Sequence, residues 1–385
     1  MQLTYTLEQN LLRTRVREFA LSELAPTAAQ RDEEERFDRH IFGRLGELGY
    51  TGIPWATAVG GKDEPFLNYA MVIEELSRVC ASTGVMLSVH TSLASWAVET
   101  YGTDAQKQAY LRPMAEGKLL GAYCLTESES GSDASAMRTT ATRHGDQYEL
   151  NGSKLFVSNG GEAEVYIVFA LTDPGQGQKG ISAFIVEKGF PGLIFGKKEK
   201  KLGIRSSTTV ELRFEQCCVP AANLLGGEGE GFRIAMRSLD GGRIGIAAQA
   251  VGIAQGALDA GLAYVNEGRA TKAKGTNGAH LFRYSDTLSE LISQVEGARL
   301  LMYQAAWRKG NGMSYGKQAA MAKLFASDTA VRVTNEILQM LSRLGCMQTQ
   351  AVERYFRDAK VTQIYEGTNE IQRIVISRML LTERV

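Results

Sequence analysis

The sequence predicts a mostly α-helical protein with a β-rich middle, ordered as helix, then strand, then helix. Three observations carry this. Apolar residues recur at helical spacing before about residue 120 and again after Gly231, while period-two alternation and short apolar runs occupy the middle. Proline is scarce, 7 among 385 residues against a typical share of about 5%, which permits long helices. Glycine is plentiful at 41, which implies close backbone approaches. At roughly 150 residues per domain the length allows two or three domains. The changes of texture divide the chain into a helical domain over 1–120, a β-domain over 121–228 and a helical bundle over 229–385.

The elements follow in order. Leu7, Leu11, Val16 and Phe19 fall at helical spacing. Tyr69, Val72, Ile73, Leu76, Val79 and Cys80 make a second stripe, and the pattern continues over 82–100 and 104–117. Ala122 to Glu127 is an apolar run ending in a loop. Gln147 to Leu150 leads into Asn151-Gly152, which reads as a hairpin turn rather than a glycosylation site. Val165 to Leu171 is a buried strand by its continuous apolar run, and Val210, Leu212 and Phe214 alternate with charged residues. No helix of ordinary length fits between these strands, so an antiparallel sheet is expected. The basic run Lys197 to Lys201 reads as a solvated loop. Ala330, Val333, Ile337, Met340, Leu341 and Leu344 form a late stripe whose apolar character points to a bundle buried in an oligomer.

Several functions are disfavoured. Lys+Arg and Asp+Glu both total 43, so the basic excess expected of a nucleic-acid binder is absent. The five cysteines include no CxxC pair, and no secretory leader is visible, which suggests reduced thiols and a cytoplasmic location, or the mitochondrial matrix for a processed chain. No run of about 18 apolar residues predicts a membrane span. There is no P-loop and no GxSxG elbow. The four histidines are scattered without HExxH, so no metal is expected. Gly227, Gly229 and Gly231 are a weak dinucleotide pattern without the preceding strand.

Two stretches carry chemistry. Leu125 to Asp133, LTESESGSD, follows an apolar strand, and its N–H groups and hydroxyls could cradle an electron-rich ligand or simply meet solvent. Ile364 to Gln372 reads IYEGTNEIQ. Asn369 and Gln372 have capping-box spacing, so a helix begins near Asn369. Glu366 precedes it, beside a glycine that admits a ligand to the backbone. Ile364 and Tyr365 would desolvate the carboxylate and raise its pKa, against the helix N-terminus. Such an acid suits proton abstraction next to a carbonyl. A helix-end glutamate paired with Arg373 has the same spacing, and spacing alone leaves both readings open.

At these stretches the sequence resembles the acyl-CoA dehydrogenase family, over nearly the whole chain. The LTExxxGSD signature stands at Leu125 to Asp133. Phe156 to Gly160, Leu202 to Ser207, Val219-Pro220, Asn223 to Gly226, Leu239 to Arg243 and Tyr365 to Thr368 match further family segments in order. The resemblance implies an N-terminal helical domain, an antiparallel barrel-like β-domain and a C-terminal four-helix bundle. It implies FAD and an acyl-CoA substrate. Glu366 would take the α-proton while the β-hydrogen leaves as hydride to the flavin, giving a trans-2-enoyl-CoA. The thioester oxygen would meet the Glu366 N–H and a ribityl hydroxyl, an oxyanion hole in effect.

Residue by residue, Tyr123, Leu125, Thr126, Gly131, Ser132, Phe156, Val157 and Ser158 match flavin positions, as do Thr368 and Glu370. Ser132, Asp240, Arg243 and Gly367 match substrate positions. The isovaleryl and long-chain branches carry their base where Gly242 stands, so Glu366 is expected instead. The glutaryl branch carries an arginine near Gly84. Short straight-chain acyl-CoA is expected, then medium-chain, with electrons passing to an electron-transferring flavoprotein and a homotetramer as the assembly. The other readings are an acyl-CoA oxidase, or a flavin-poor CoA-binding or scaffold homologue.

Two segments that hold the ADP half of FAD in the family depart from its pattern. ERxxFG is replaced by Glu267 to Gly275, with the arginine displaced to Arg269. QxxGGxG becomes Gln339 to Gly345, with Ser342-Arg343 in place of two glycines. Glycine lets a phosphate lie against the backbone, and Arg343 would crowd it. Alternatively Arg269, Lys272 or Arg343 pairs with the pyrophosphate. The expected outcome is weakened FAD retention: gel filtration should strip part of the flavin, and a full complement afterwards would contradict it.

Overall fold

The structure is a computed structural model that describes residues 5–266, 279–343 and 350–382. The N-terminal helices are α1 (Leu7–Phe19), α2 (Ala25–Glu33), α3 (Arg39–Glu47), α4 (Phe66–Ser77) and α5 (Ala81–Ser88). Thr6 and Gln9 close a capping box at the start of α1. Val16 and Phe19 are buried, whereas Leu7 and Leu11 face outward. The second expected stripe lies on α4, where Tyr69, Val72, Ile73 and Leu76 are all fully buried. After α5 the helix continues as a π-helical stretch, Val89–Ser95, and then α6 (Trp96–Tyr101). Such π segments are frequent at functional sites. Two short helices, α7 (Asp104–Gln106) and α8 (Arg112–Ala115), complete this part.

The middle is one eight-stranded sheet. Its strands are β1 (Gly121–Cys124), β2 (Thr140–His144), β3 (Gln147–Ser158), β4 (Val165–Leu171), β5 (Ile181–Glu187), β6 (Leu193–Lys198), β7 (Thr209–Pro220) and β8 (Leu224–Leu225). The order is β6-β7-β3-β2-β4-β5-β8, with β1 alongside β4. The sheet is mixed rather than antiparallel throughout: β1 runs parallel to β4, and Thr140 pairs Leu171 in parallel. The excursion between β1 and β4 contains the whole β2–β3 hairpin, so this crossover needs no helix. Asn151-Gly152 is not the hairpin turn. It lies inside β3 at a register shift against β7, with Gly152 at φ 141. A Cβ at Gly152 would stand 2.6 Å from Thr139 Oγ1, so the glycine serves a close strand approach, and the β2–β3 turn falls at Gly145-Asp146.

The C-terminal helices are α9 (Gly231–Asn266), α10 (Ala279–Gly310), α11 (Gly316–Arg343), α12 (Gln350–Val361) and α13 (Asn369–Thr382). Ala330, Val333, Ile337, Met340 and Leu341 of the expected stripe are buried on α11, and Leu344 lies outside the described residues. α9 is long and apolar enough to cross a bilayer, yet it is the core helix, packed by α11, α4 and α10. A loop of the sheet docks on α12: Ile204 N–H donates to Asp358 at 2.5 Å, and a Cβ on Gly203 would strike the Arg357 carbonyl.

A buried polar network ties α4 to the bundle. Glu74 accepts from Arg299 Nε and from the Tyr303 hydroxyl, both at 2.7 Å, and Arg299 also donates to Gln255 on α9 at 2.8 Å. Removing one member of a buried pair leaves an uncompensated charge. Glu74→Ala should therefore lower stability by about 3–5 kcal/mol in denaturant unfolding.

Candidate functional site

The site grows from one turn. Glu366 (φ 55) and Gly367 (φ 85) both occupy left-handed backbone just before α13. A non-glycine residue there is strained and persists only where its surroundings hold it. The Lys323 ammonium on α11 donates to Gly367 O at 2.8 Å and to Asn369 Oδ1 at 2.9 Å. Gln372 Nε2 reaches back to Glu366 O (3.1 Å) and Gly367 O (2.8 Å). The helix begins at Asn369 as expected, but the capping box does not form. Thr368 Oγ1 accepts from Ile371 N instead, and Asn369 turns its amide to Ser327 and Asp328. Arg373 pairs with Asp328 and Glu370, not with Glu366.

The Glu366 carboxyl is thereby aimed at α9. Its Oε2 is buried with no hydrogen-bond partner among the described residues. A Cβ at Gly242 would lie 2.5 Å from that oxygen and 2.9 Å from Leu93 of the π-helical stretch. Burial raises the carboxyl to about 7, with Arg243 and Lys323 opposing the rise. Arg243 bonds Asp240 at 2.6 Å, one turn apart on α9. Lys309 Nζ lies buried near Asp240, against the rings of Phe66 (4.0 Å), Trp96 (5.4 Å) and Tyr315 (5.6 Å).

The loop after β1 is anchored from below. Glu127 accepts from Lys154 Nζ at 2.6 Å, Arg138 N at 2.6 Å and Thr139 N at 3.1 Å, in a nearly dry setting. This leaves Gly131, Ser132 and Asp133 exposed at the tip, with Leu125 and Thr126 partly exposed behind. His90 joins the π-helical stretch to β1 by accepting from Gly121 N at 3.0 Å. Burial lowers it to about 3, so it is neutral and structural.

A second bulge in β3, between Lys154 and Val157, turns Phe156 outward. Phe156 is 61% exposed at φ 57, an apolar ring presented on strained backbone. Val157 points the other way and is buried, so of the expected cofactor residues it can offer only its backbone. Tyr123 is also buried, its hydroxyl donating to Ala235 O at 3.3 Å. An outward aromatic ring, a polar glycine-bearing loop and an unpartnered carboxyl suit a flat, polar-edged cofactor such as a flavin.

The structure thus brings Glu366, Gly367, Thr368, Asp240 and Arg243 together around α9 and α11. It does not bring Gln339 and Arg343 to them. Both are exposed on the last turns of α11, about 24 Å (Gln339) and about 30 Å (Arg343) along the helix from Lys323 at 1.5 Å per residue. Arg343 Nη2 donates to Gln339 at 3.5 Å. Arg269 and Lys272 lie outside the described residues. Lys323 was not visible as a site residue. Its one signal is a lysine on a stripe of Ala319, Ala322 and Ala326, all buried.

The chain matches the models named acyl-CoA dehydrogenase N-terminal domain over 6–118, middle domain over 122–217 and C-terminal domain over 229–381. It is 48% identical to the short-chain specific acyl-CoA dehydrogenase of Clostridium acetobutylicum, covering 98% of this chain and 99% of that one. The structure of butyryl-CoA dehydrogenase from Megasphaera elsdenii superposes with a TM-score of 0.93 at 43% identity, covering 99% and 100%. A structure described as an electron transferring flavoprotein of Acidaminococcus fermentans, addressing flavin-based electron bifurcation, reaches 0.95 at 47% identity and covers both chains fully.

The raised Glu366 carboxyl has a stability consequence. The unfolded chain loses this proton near 4.5 and the folded chain near 7, so the group costs nothing below pH 4.5 and its full penalty above pH 7. Glu366→Gln should be more stable than the parent by up to about 3 kcal/mol at pH 8, with the gap closing by pH 4.5 in thermal unfolding.

Proposed function

Because the chain belongs to the acyl-CoA dehydrogenase family, a family of FAD flavoprotein oxidoreductases, we propose that it converts short-chain acyl-CoA thioesters to trans-2-enoyl-CoA. One observation carries the reading: the Glu366 Oε2, buried and without a hydrogen-bond partner among the described residues, faces a gap in α9 left by Gly242. A carboxylate in that state is a base waiting for a proton donor of matched acidity. Glu366 takes the α-proton of the bound thioester onto its carboxyl oxygen. Arg243 and Lys323 keep enough of it ionised near neutral pH to act. Lys323 and Gln372 fix the turn that aims it, and the Glu366 N–H donates to the thioester oxygen as charge develops there.

Ser132, Asp240 and Arg243 hold the CoA portion, and Gly367 lines the substrate. FAD, when bound, supplies the two-electron acceptor for the β-hydrogen. Tyr123, Leu125, Thr126, Gly131, Ser132, Phe156, Val157, Ser158, Thr368 and Glu370 hold its flavin side, with Val157 contributing backbone alone. Arg269, Gln339 and Arg343 serve the ADP end. The short-chain assignment draws on the relatives named for short-chain and butyryl substrates. The likeness to the electron-transferring-flavoprotein structure supports that class of protein as the electron acceptor. Exposed Leu300, Met321, Phe325 and Ile374 on the bundle helices favour a homotetramer in which these faces are covered. Fatty acid β-oxidation in the cytoplasm, or in the matrix of a eukaryotic cell, suits this chemistry. The domain division at 1–120, 121–228 and 229–385 belongs to the same reading.

The flavin absorption of the holoenzyme should bleach on adding butyryl-CoA. Glu366→Gln should bind butyryl-CoA with little change while flavin reduction slows by about 10²–10⁴-fold, the usual worth of a general base. Undiminished reduction in that variant would remove Glu366 from the role. Rapid turnover with oxygen alone would point to an oxidase, and a protein that takes up no FAD would point to a scaffold.

A further inference from the structure

We propose that Tyr69 sets the acyl chain length by closing the substrate pocket one helical turn beyond Glu366. The inference rests on the acyl-CoA reading and deepens it. One ion pair and two glycines along α9 define the line. Asp240 and Arg243 form its polar end. Gly242 faces the base. Gly245, the next turn on, faces α4 and α5.

At Gly245 the space is closed. A Cβ there would collide with Ser88 Oγ and come within 2.9 Å of the Tyr69 hydroxyl. Tyr69 is fully buried, its hydroxyl donates to Ser88 Oγ at 3.3 Å, and its ring leans on Phe66 at 4.9 Å between centroids. The phenol is therefore held from three sides, by α4, α5 and α9. Burial pushes it up to about 12, so it stays neutral and suits an apolar tail.

Two turns further along α4 the packing against α5 and α9 is equally close. A Cβ at Gly84 would strike Ser77 Oγ, and one at Gly252 would stand 2.8 Å from Ser77 Cβ. A thioester with its CoA end at Asp240 and Arg243 and its α-carbon at Glu366 runs its tail toward Gly245. From Gly242 to Gly245 is about 4.5 Å of helix, the length of a few carbons, and the Tyr69 hydroxyl stands at its far end.

Tyr69→Ala tests this with FAD-loaded protein, measuring flavin reduction by butyryl-, hexanoyl- and octanoyl-CoA. The ratio of octanoyl to butyryl kcat/KM should rise at least about tenfold, since one methylene in an apolar pocket is worth about 10–200-fold. A ratio within one variant cancels any loss of folded protein, and Tyr69→Leu gives the same reading if Tyr69→Ala fails to accumulate. Tyr69→Phe keeps the ring and should keep the parental ratio. If the parent is reduced by butyryl-CoA yet the ratio in Tyr69→Ala or Tyr69→Leu stays parental, the inference is overturned and the dehydrogenase reading stands. A ratio that shifts as far in Tyr69→Phe overturns the bulk argument. A parent reduced by no acyl-CoA sinks the dehydrogenase reading and this inference with it.

Discussion

Everything in this fold that concerns chemistry depends on keeping one carboxylate oxygen buried and unpaired. A buried carboxylate is normally neutralised by a partner or a proton. Glu366 receives neither in full: two cations stand near enough to matter, and neither donates to its Oε2. The result is a group balanced near neutrality, able to hold a proton or release it. The strain of its left-handed backbone is borne by Lys323, Asn369 and Gln372, all buried and hydrogen-bonded. The reactive group is loose because its supports are tight.

The surrounding helices are arranged to make that possible. α9 presents glycines on the faces it turns to α4, α5, the π-helical stretch and the base. Glycine inside a helix costs about 1 kcal/mol relative to alanine. Here it is repaid by close packing, since side chains would collide at Gly242, Gly245, Gly252 and Gly256. The network of Glu74, Arg299, Tyr303 and Gln255 then fixes α4 and α10 against the same helix. The same principle governs the β-domain, where the dry Lys154–Glu127 pair holds the polar loop from beneath.

Much of this was legible in the sequence because it is local. The helix-strand-helix order, the core stripes and the base beside its glycine all lie within short windows. What failed was what depends on distant partners. Asn151-Gly152 has the composition of a hairpin turn, but Thr139 on the neighbouring strand requires a bulge there. Asn369 and Gln372 have capping-box spacing, but Lys323 and the Gly367 carbonyl compete successfully for their side chains. Val157 sits in a motif, yet the bulge before it decides which neighbour faces out. Lys323 and Tyr69 read as ordinary helix residues until α11 and α4 are docked, because nothing adjacent in sequence marks them.

The missing side chain at Gly242 also bears on how such a site can change over time. The base arrives from a turn before α13, but the space it fills is the one a residue on α9 would occupy. The two positions are alternative addresses for a single carboxylate. A chain carrying acids at both would force like charges into one dry volume, where only one can ionise. Moving the base from one element to the other therefore exchanges one carboxylate for the other, because a side chain at Gly242 would press on the Glu366 oxygen. Packing and charge together leave this volume room for one such acid.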